Sequence, residues 1–243
     1  MDIIEILNNL SLESNIKLEE VPEIDLYMDQ VIQLFESKLN NQKRNDEEKI
    51  LTKTMINNYA KGKLLLPIKN KKYSKEHIIL MSLIYNLKGA LSINDIKLCL
   101  DEIINKSVQG NYPLRELYSS FLEECDNDEK SFKIDVSTKF ENISNKVDEN
   151  KNFDGEFEKN FLLLCSLVNM SNMYRRMSEK LIDEFFAVPE AIGARNLWIT
   201  ILWPQEQTMQ NAVQDTIGHH ERNLPKKHEI QKETQSIVAV RQL

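Results

Sequence analysis

Glycine and proline are scarce in this chain of 243 residues, with six of each. So little turn material argues against an all-β fold, and apolar residues recurring three and four apart favour a mostly α architecture. No apolar run approaches the roughly 18–20 residues of a membrane-spanning helix, so no membrane partner is expected. Cysteine is limited to Cys99, Cys125 and Cys165. Their odd number and wide spacing argue against a disulfide framework or a CxxC or CxxH zinc site, and they read as buried free thiols. No Ser/His/Asp set, glycine-rich phosphate loop or H-E-x-x-H helix occurs, so the chain does not read as an enzyme and no cofactor or metal is expected. The opening MDIIEILNNL has acids where a secretory signal has basic residues, which points to a cytoplasmic protein.

Positive charge, in contrast, is unevenly spread. Lys49, Lys53, Lys61, Lys63, Lys69, Lys71, Lys72 and Lys75 fall in one window with no Asp or Glu between them. The total is −7, so a window of +8 leaves −15 for the remainder. Overall acidity speaks for solubility; the local asymmetry is what bears on a partner.

Four regions are expected. Residues 1–22 form an N-terminal helix (2–10, with Ile3, Ile6, Leu7 and Leu10 on one side) and a linker. Residues 23–110 form the second region. It opens with EIDLYMDQVIQLFESKL, whose Ile24, Met28, Val31, Phe35 and Leu39 make an apolar helical stripe, followed by the loop NNQKRNDEEK. Thr52 can cap a helix running to Lys61, with Gly62 as its stop. LLLPIKNKKY then reads as a small hairpin or wing turning at Lys69–Asn70. Ser74 caps the helix KEHIILMSLIYNLKGA, apolar nearly all round and so buried, and SIND has the form of a capping box for the next helix.

Residues 111–188 are expected to be helical, in segments near 113–125, 130–147 and 155–187 separated by DNDE and DENKNFDGE. The stretch 161–168 is apolar on every side, which favours burial in a bundle or a subunit interface. From Pro189 the composition changes: both tryptophans, three of four histidines and seven of eleven glutamines lie in 189–243, read as an atypical, loosely ordered extension.

The helix at 52–61 carries the chemistry. Leu51, Met55, Ile56 and Tyr59 fall on one side of it, whereas Lys53, Asn57 and Lys61 form a stripe on the other, with Thr54 and Asn58 beside it. Asn pairs bidentately with adenine, Lys meets guanine or phosphate, and Thr meets base edge or backbone, so this face suits the major groove of double-stranded DNA. Lys69, Lys71 and Lys72 in the wing at 65–73 are placed to grip flanking phosphates, and Lys63, just past the helix, is a further DNA-binding candidate. Tyr73 either packs at the base of the wing or touches the backbone.

In that order, LTKTMINNYAKGKLLLPIKNKKYSKEHIILMSLIYNLKGALSINDIKLCL resembles the winged helix-turn-helix of MerR-type regulators. The matching pieces are Tyr59, GKLLLP, KKYSKEH and SINDI, with Lys72 where arginine is usual. Together with VPEIDLYMDQVIQLFE, the block is similar to an uncharacterised bacterial family, domain-of-unknown-function family 1836, over residues 20–187. The resemblance implies a mostly α fold in which a winged helix-turn-helix precedes a helical bundle or dimerisation helices. It implies a homodimer that uses 155–187, and it brings no activity beyond DNA binding for transcription regulation.

Other clusters are weaker. His219, His220 and His228 with Glu221 and Glu229 read as a solvated tail rather than a metal site. His77, in a first helical turn where a cation sits poorly, reads as a surface or capping residue. A function of another class stays open: a protein-interaction module on a helix-turn-helix scaffold, whose lysine face docks an acidic partner and not DNA.

Overall fold

A helix without a polar stripe must be surrounded on every side. KEHIILMSLIYNL is such a sequence, and in the computed structural model, which describes residues 3–153 and 155–187, Ile78 to Ile84 are all buried. Around it one core cluster extends from Ile16 to Tyr118. Its helices, in chain order, are α1 (Ile3–Asn9), α2 (Met28–Leu39), α3 (Lys53–Lys61), α4 (Lys75–Leu87), α5 (Ile93–Val108), α6 (Leu114–Asp148) and α7 (Glu156–Leu181). Two short strands, β1 (Leu26–Tyr27) and β2 (Lys72–Tyr73), pair antiparallel with Leu26 opposite Tyr73 and Tyr27 opposite Lys72. Among the described residues the fold is therefore mostly α, as expected from composition.

The helix expected from residue 23 begins only at Met28, because the backbone of Leu26–Tyr27 is engaged by β2 instead. Ile24, counted as part of the apolar stripe, is 71% exposed, while Val31, Phe35 and Leu39 face the core. The Tyr27 N–H donates to Gln30 Oε1 (2.8 Å), closing the start of α2. α5 starts as its capping box predicts: the Asp95 N–H donates to Ser92 Oγ (3.2 Å) and the Ser92 N–H to Asp95 Oδ2 (3.3 Å). Ile96, Leu100 and Ile104 are its buried stripe, and Ile93 is exposed.

The break expected at DNDE is absent, and α6 runs through it from Leu114 to Asp148. Asp126, Asn127 and Asp128 stay in water, where each costs a helix only a few tenths of a kcal/mol. The Glu129–Lys133 pair (2.6 Å) adds support across the same turn. The second expected break holds, with Gly155 at φ +103° before α7. α7 closes in a π turn, Ile182–Phe186. The expectation of burial at 161–168 fails within one chain: Phe161, Leu162, Leu164 and Val168 are exposed, and Leu163 alone in that stretch is buried. Cys99 and Cys125 are half-buried, while Cys165 is exposed, contrary to the reading of three buried thiols.

No described helix is long and apolar enough to cross a membrane. The histidine group at 219–228 and the rest of the extension from Pro189 lie outside the described residues.

The first turns of α6 are tied to the segment before α2. The Tyr118 hydroxyl donates to the Ile16 carbonyl at 2.6 Å, both residues being buried. Burial pushes the Tyr118 phenol up to about 12. Tyr118→Phe leaves that carbonyl without its donor and is expected to cost about 1–3 kcal/mol, read from denaturant unfolding.

Candidate nucleic-acid interface

The short α3 has two faces because its sequence has two. Thr52 Oγ1 accepts the Met55 N–H (3.2 Å), fixing the start. Ile56 and Tyr59 are buried, Leu51 is buried just ahead of them and Met55 is half-buried. Lys53, Thr54, Asn57, Asn58 and Lys61 are all exposed on the other side.

The helix ends at Lys61 with Gly62 as its C-cap, as expected. Gly62 keeps a right-handed conformation (φ −72°), and the left-handed residue is Lys63 at φ +60°. The Lys63 N–H donates to the Ala60 carbonyl (3.1 Å) and the Leu64 N–H to that of Tyr59 (2.9 Å). This is a Schellman cap, with Leu64 and Tyr59 as its buried apolar pair.

The segment 65–73, expected as a hairpin or wing, turns at Lys69–Lys72, but beyond a single Lys69–Lys72 bridge its outgoing strand β2 pairs with β1 and not with the arm before the turn. The Lys72 N–H donates to the Lys69 carbonyl (2.9 Å), and both central residues have positive φ, Asn70 at +53° and Lys71 at +59°. That is a type I′ turn, the form whose twist suits a hairpin. Its base is held from below by two residues. Of the two places offered for Tyr73, packing beneath the segment or touching the DNA backbone, its 3% exposure leaves the first, and as a DNA contact it is corrected to a core residue. Its ring meets His77 edge-on, with centroids 5.8 Å apart.

His77 is buried rather than at the surface, although its capping role holds: the Ser74 N–H donates to its Nδ1 (3.1 Å). That leaves the proton on Nε2, which lies 3.2 Å from the Leu66 carbonyl and donates to it, tying the first arm of the wing to α4. Burial holds the imidazole below its ordinary 6.5, against the pull of the Leu66 carbonyl, Glu76 and Asp25.

The lysine window now divides by environment. Lys75 is buried and paired with Glu23 (2.6 Å), which holds the Glu23 carboxyl below its ordinary range. Arg115 bridges the same Glu23 (3.2 Å) to Glu76 (2.8 Å), so this cluster fastens α4 to α6. Lys53 is paired with Asp29 (2.7 Å), an exposed pair that moderates its charge. Lys72 lies over the Tyr27 ring, 5.2 Å from its centroid. Lys61, Lys63, Lys69 and Lys71 are exposed and have no ion-pair partner among the described residues. Lys71 borders a cleft with Asn57, Lys61 follows Asn57 by one helical turn, and Lys63 borders a separate cleft with Asp101 and Asn105 of α5.

Residues 16–121 match the model of a family described as Domain of unknown function (DUF1836). That supports the family likeness. The match closely brackets the core from Ile16 to Tyr118, so it covers the two-faced helix, the wing and their support, and leaves α7 outside. No curated protein and no solved structure matches the chain.

Sequence reasoning missed Tyr27 and Asp29, both taken as parts of a longer helix. A strand of two residues is too short for its period to show, and the ion pair joins residues far apart in the chain. No group of three or more metal-ligating side chains occurs among the described residues.

Two left-handed positions, Lys63 and Lys71, hold lysine where glycine fits without strain. Lys63→Gly and Lys71→Gly are each expected to stabilise the fold by about 0.5–1 kcal/mol, the relief of left-handed strain less the added freedom of the unfolded chain. Thermal melts check this. For His77, a depressed folded value means that the unfolded chain binds the extra proton first. Stability is then full above 6.5 and falls as pH drops below it, by at most about 1.4 kcal/mol per pH unit. Glu20, Glu23 and Glu76 titrate below their ordinary 4.5, so they do not mask the window between. Unfolding at pH 7.5 and 5.5 is expected to show this loss in the wild type, reduced in His77→Gln.

Proposed function

We propose that this chain is a sequence-specific DNA-binding protein, a transcriptional regulator built on a MerR-like winged helix-turn-helix. α2 and α3 form the helix-turn-helix pair, and the segment 65–73 forms the wing. The exposed face of α3 enters the major groove, where Asn57 and Asn58 present amides to base edges and Thr54 and Lys61 meet base or backbone. Lys63, Lys69 and Lys71 grip flanking phosphates.

One observation carries this reading. Two unpaired lysines, Lys63 just past α3 and Lys71 across a cleft from Asn57, occupy left-handed positions that suit glycine better. Strain kept against stability belongs to sites whose side chains are needed, and here those side chains are cations. An ordinary solvated face gives no reason to keep lysine there.

A homodimer is the second part of the proposal. Phe157, Phe161, Leu164 and Val168 recur at intervals of four, three and four on α7, and all are exposed. So continuous an apolar stripe suits a second copy, as inverted half-sites require. A cytoplasmic location fits this activity.

Selection of bound duplexes from a random pool tests the proposal. The wild type is expected to enrich a motif with inverted symmetry. Asn57→Ala with Asn58→Ala is expected to flatten that motif, and Lys71→Ala to weaken all sequences alike. A pool that shows no enrichment contradicts sequence-specific binding.

A further inference from the structure

Between α3 and the wing lies an open cleft of about 470 Å³, bordered by Tyr27, Asn57 and Lys71 and lined further by Met28 and Ile68. Tyr27 is 55% exposed, large for a ring beside a core, and β1 holds it opposite Lys72. The cleft therefore combines two apolar side chains with a phenol, an amide and an ammonium group on its border. Its one acid, Asp29, is already occupied by Lys53 at 2.7 Å.

That chemistry matches one partner. If a helix sits in the major groove and an adjoining wing reaches past its edge, a single sugar–phosphate strand must run between them. Such a strand offers apolar deoxyribose faces and anionic oxygens in alternation. Met28 and Ile68 suit the sugars; the phenol, amide and ammonium suit the phosphates. An acidic peptide would meet the same lysines but has no need of an apolar-lined channel between helix and wing.

We propose that this cleft takes one sugar–phosphate strand of duplex DNA, with Tyr27 as its uncharged phosphate donor. The proposal rests on the DNA-binding reading and adds to it a residue from outside the lysine window. Lys72, over the Tyr27 ring, then acts mainly as a positioning residue.

The test is an anisotropy titration of the full chain against a short mixed-sequence duplex at several salt concentrations, with thermal melts alongside. Tyr27→Phe is expected to weaken binding about three- to tenfold, the worth of one hydrogen bond, and to leave the salt slope and the melting temperature unchanged. Lys71→Ala is expected to weaken binding and to make the slope shallower by about 0.9, the value of one phosphate neutralised. If the wild type binds and both Tyr27→Phe and Tyr27→Ala bind as tightly, the cleft is not used and this proposal falls alone. If the wild type binds no duplex at low salt, the DNA reading falls and takes the cleft with it.

Discussion

Residues 16–118 are organised around a helix that has no side to show to water. α4 buries every residue from Ile78 to Ile84, so neighbours must cover its whole circumference. Each large aliphatic side chain removed from water contributes about 1.5–3 kcal/mol, which makes this burial the dominant constraint on the arrangement. The core cluster enlists residues of α2, α3, the wing base, α5 and the start of α6 for that purpose. The Glu23–Lys75 and Arg115–Glu76 pairs then close the N-terminal end of α4.

The exposed face of α3 is a consequence of that burial. Ile56 and Tyr59 commit one side of a short helix to the core, so Asn57, Asn58 and Lys61 have no other place than the surface. The wing is fixed by the same core: Tyr73 is buried in it, and His77 reaches from α4 to the Leu66 carbonyl. Two devices of different chemistry, amides on a helix and ammonium groups on a turn, thereby share one rigid support. Lysine at the left-handed positions 63 and 71 is the point where local stability yields to something else.

Much of this was legible in the sequence. The two-faced helix followed from apolar spacing, its start from Thr52, the turn after it from Lys69–Asn70, and the buried α4 from its lack of a polar stripe. What escaped was set by distant contacts or by small energies. Tyr27 left its expected helix because β2 lies across the fold, and the Lys75–Glu23 pair joins residues far apart in the chain. The DNDE break did not form, since acids in water penalise a helix too weakly to end it. Tyr73 was offered two places, and burial of its ring decided between them. α3 stopped at Gly62 as expected, but the left-handed residue of its cap was Lys63 and not the glycine, an inversion that residue propensity alone argues against.

The central claim is that the unpaired lysines on and after α3 meet DNA phosphates. Its most direct measurement is the affinity of the full chain for duplex DNA as a function of salt concentration. With Lys61, Lys63, Lys69 and Lys71 each neutralising a phosphate, the logarithm of affinity is expected to fall against that of salt with a slope of about −3.6 per protomer. Absence of binding at low salt, or binding with a slope near zero, contradicts the account.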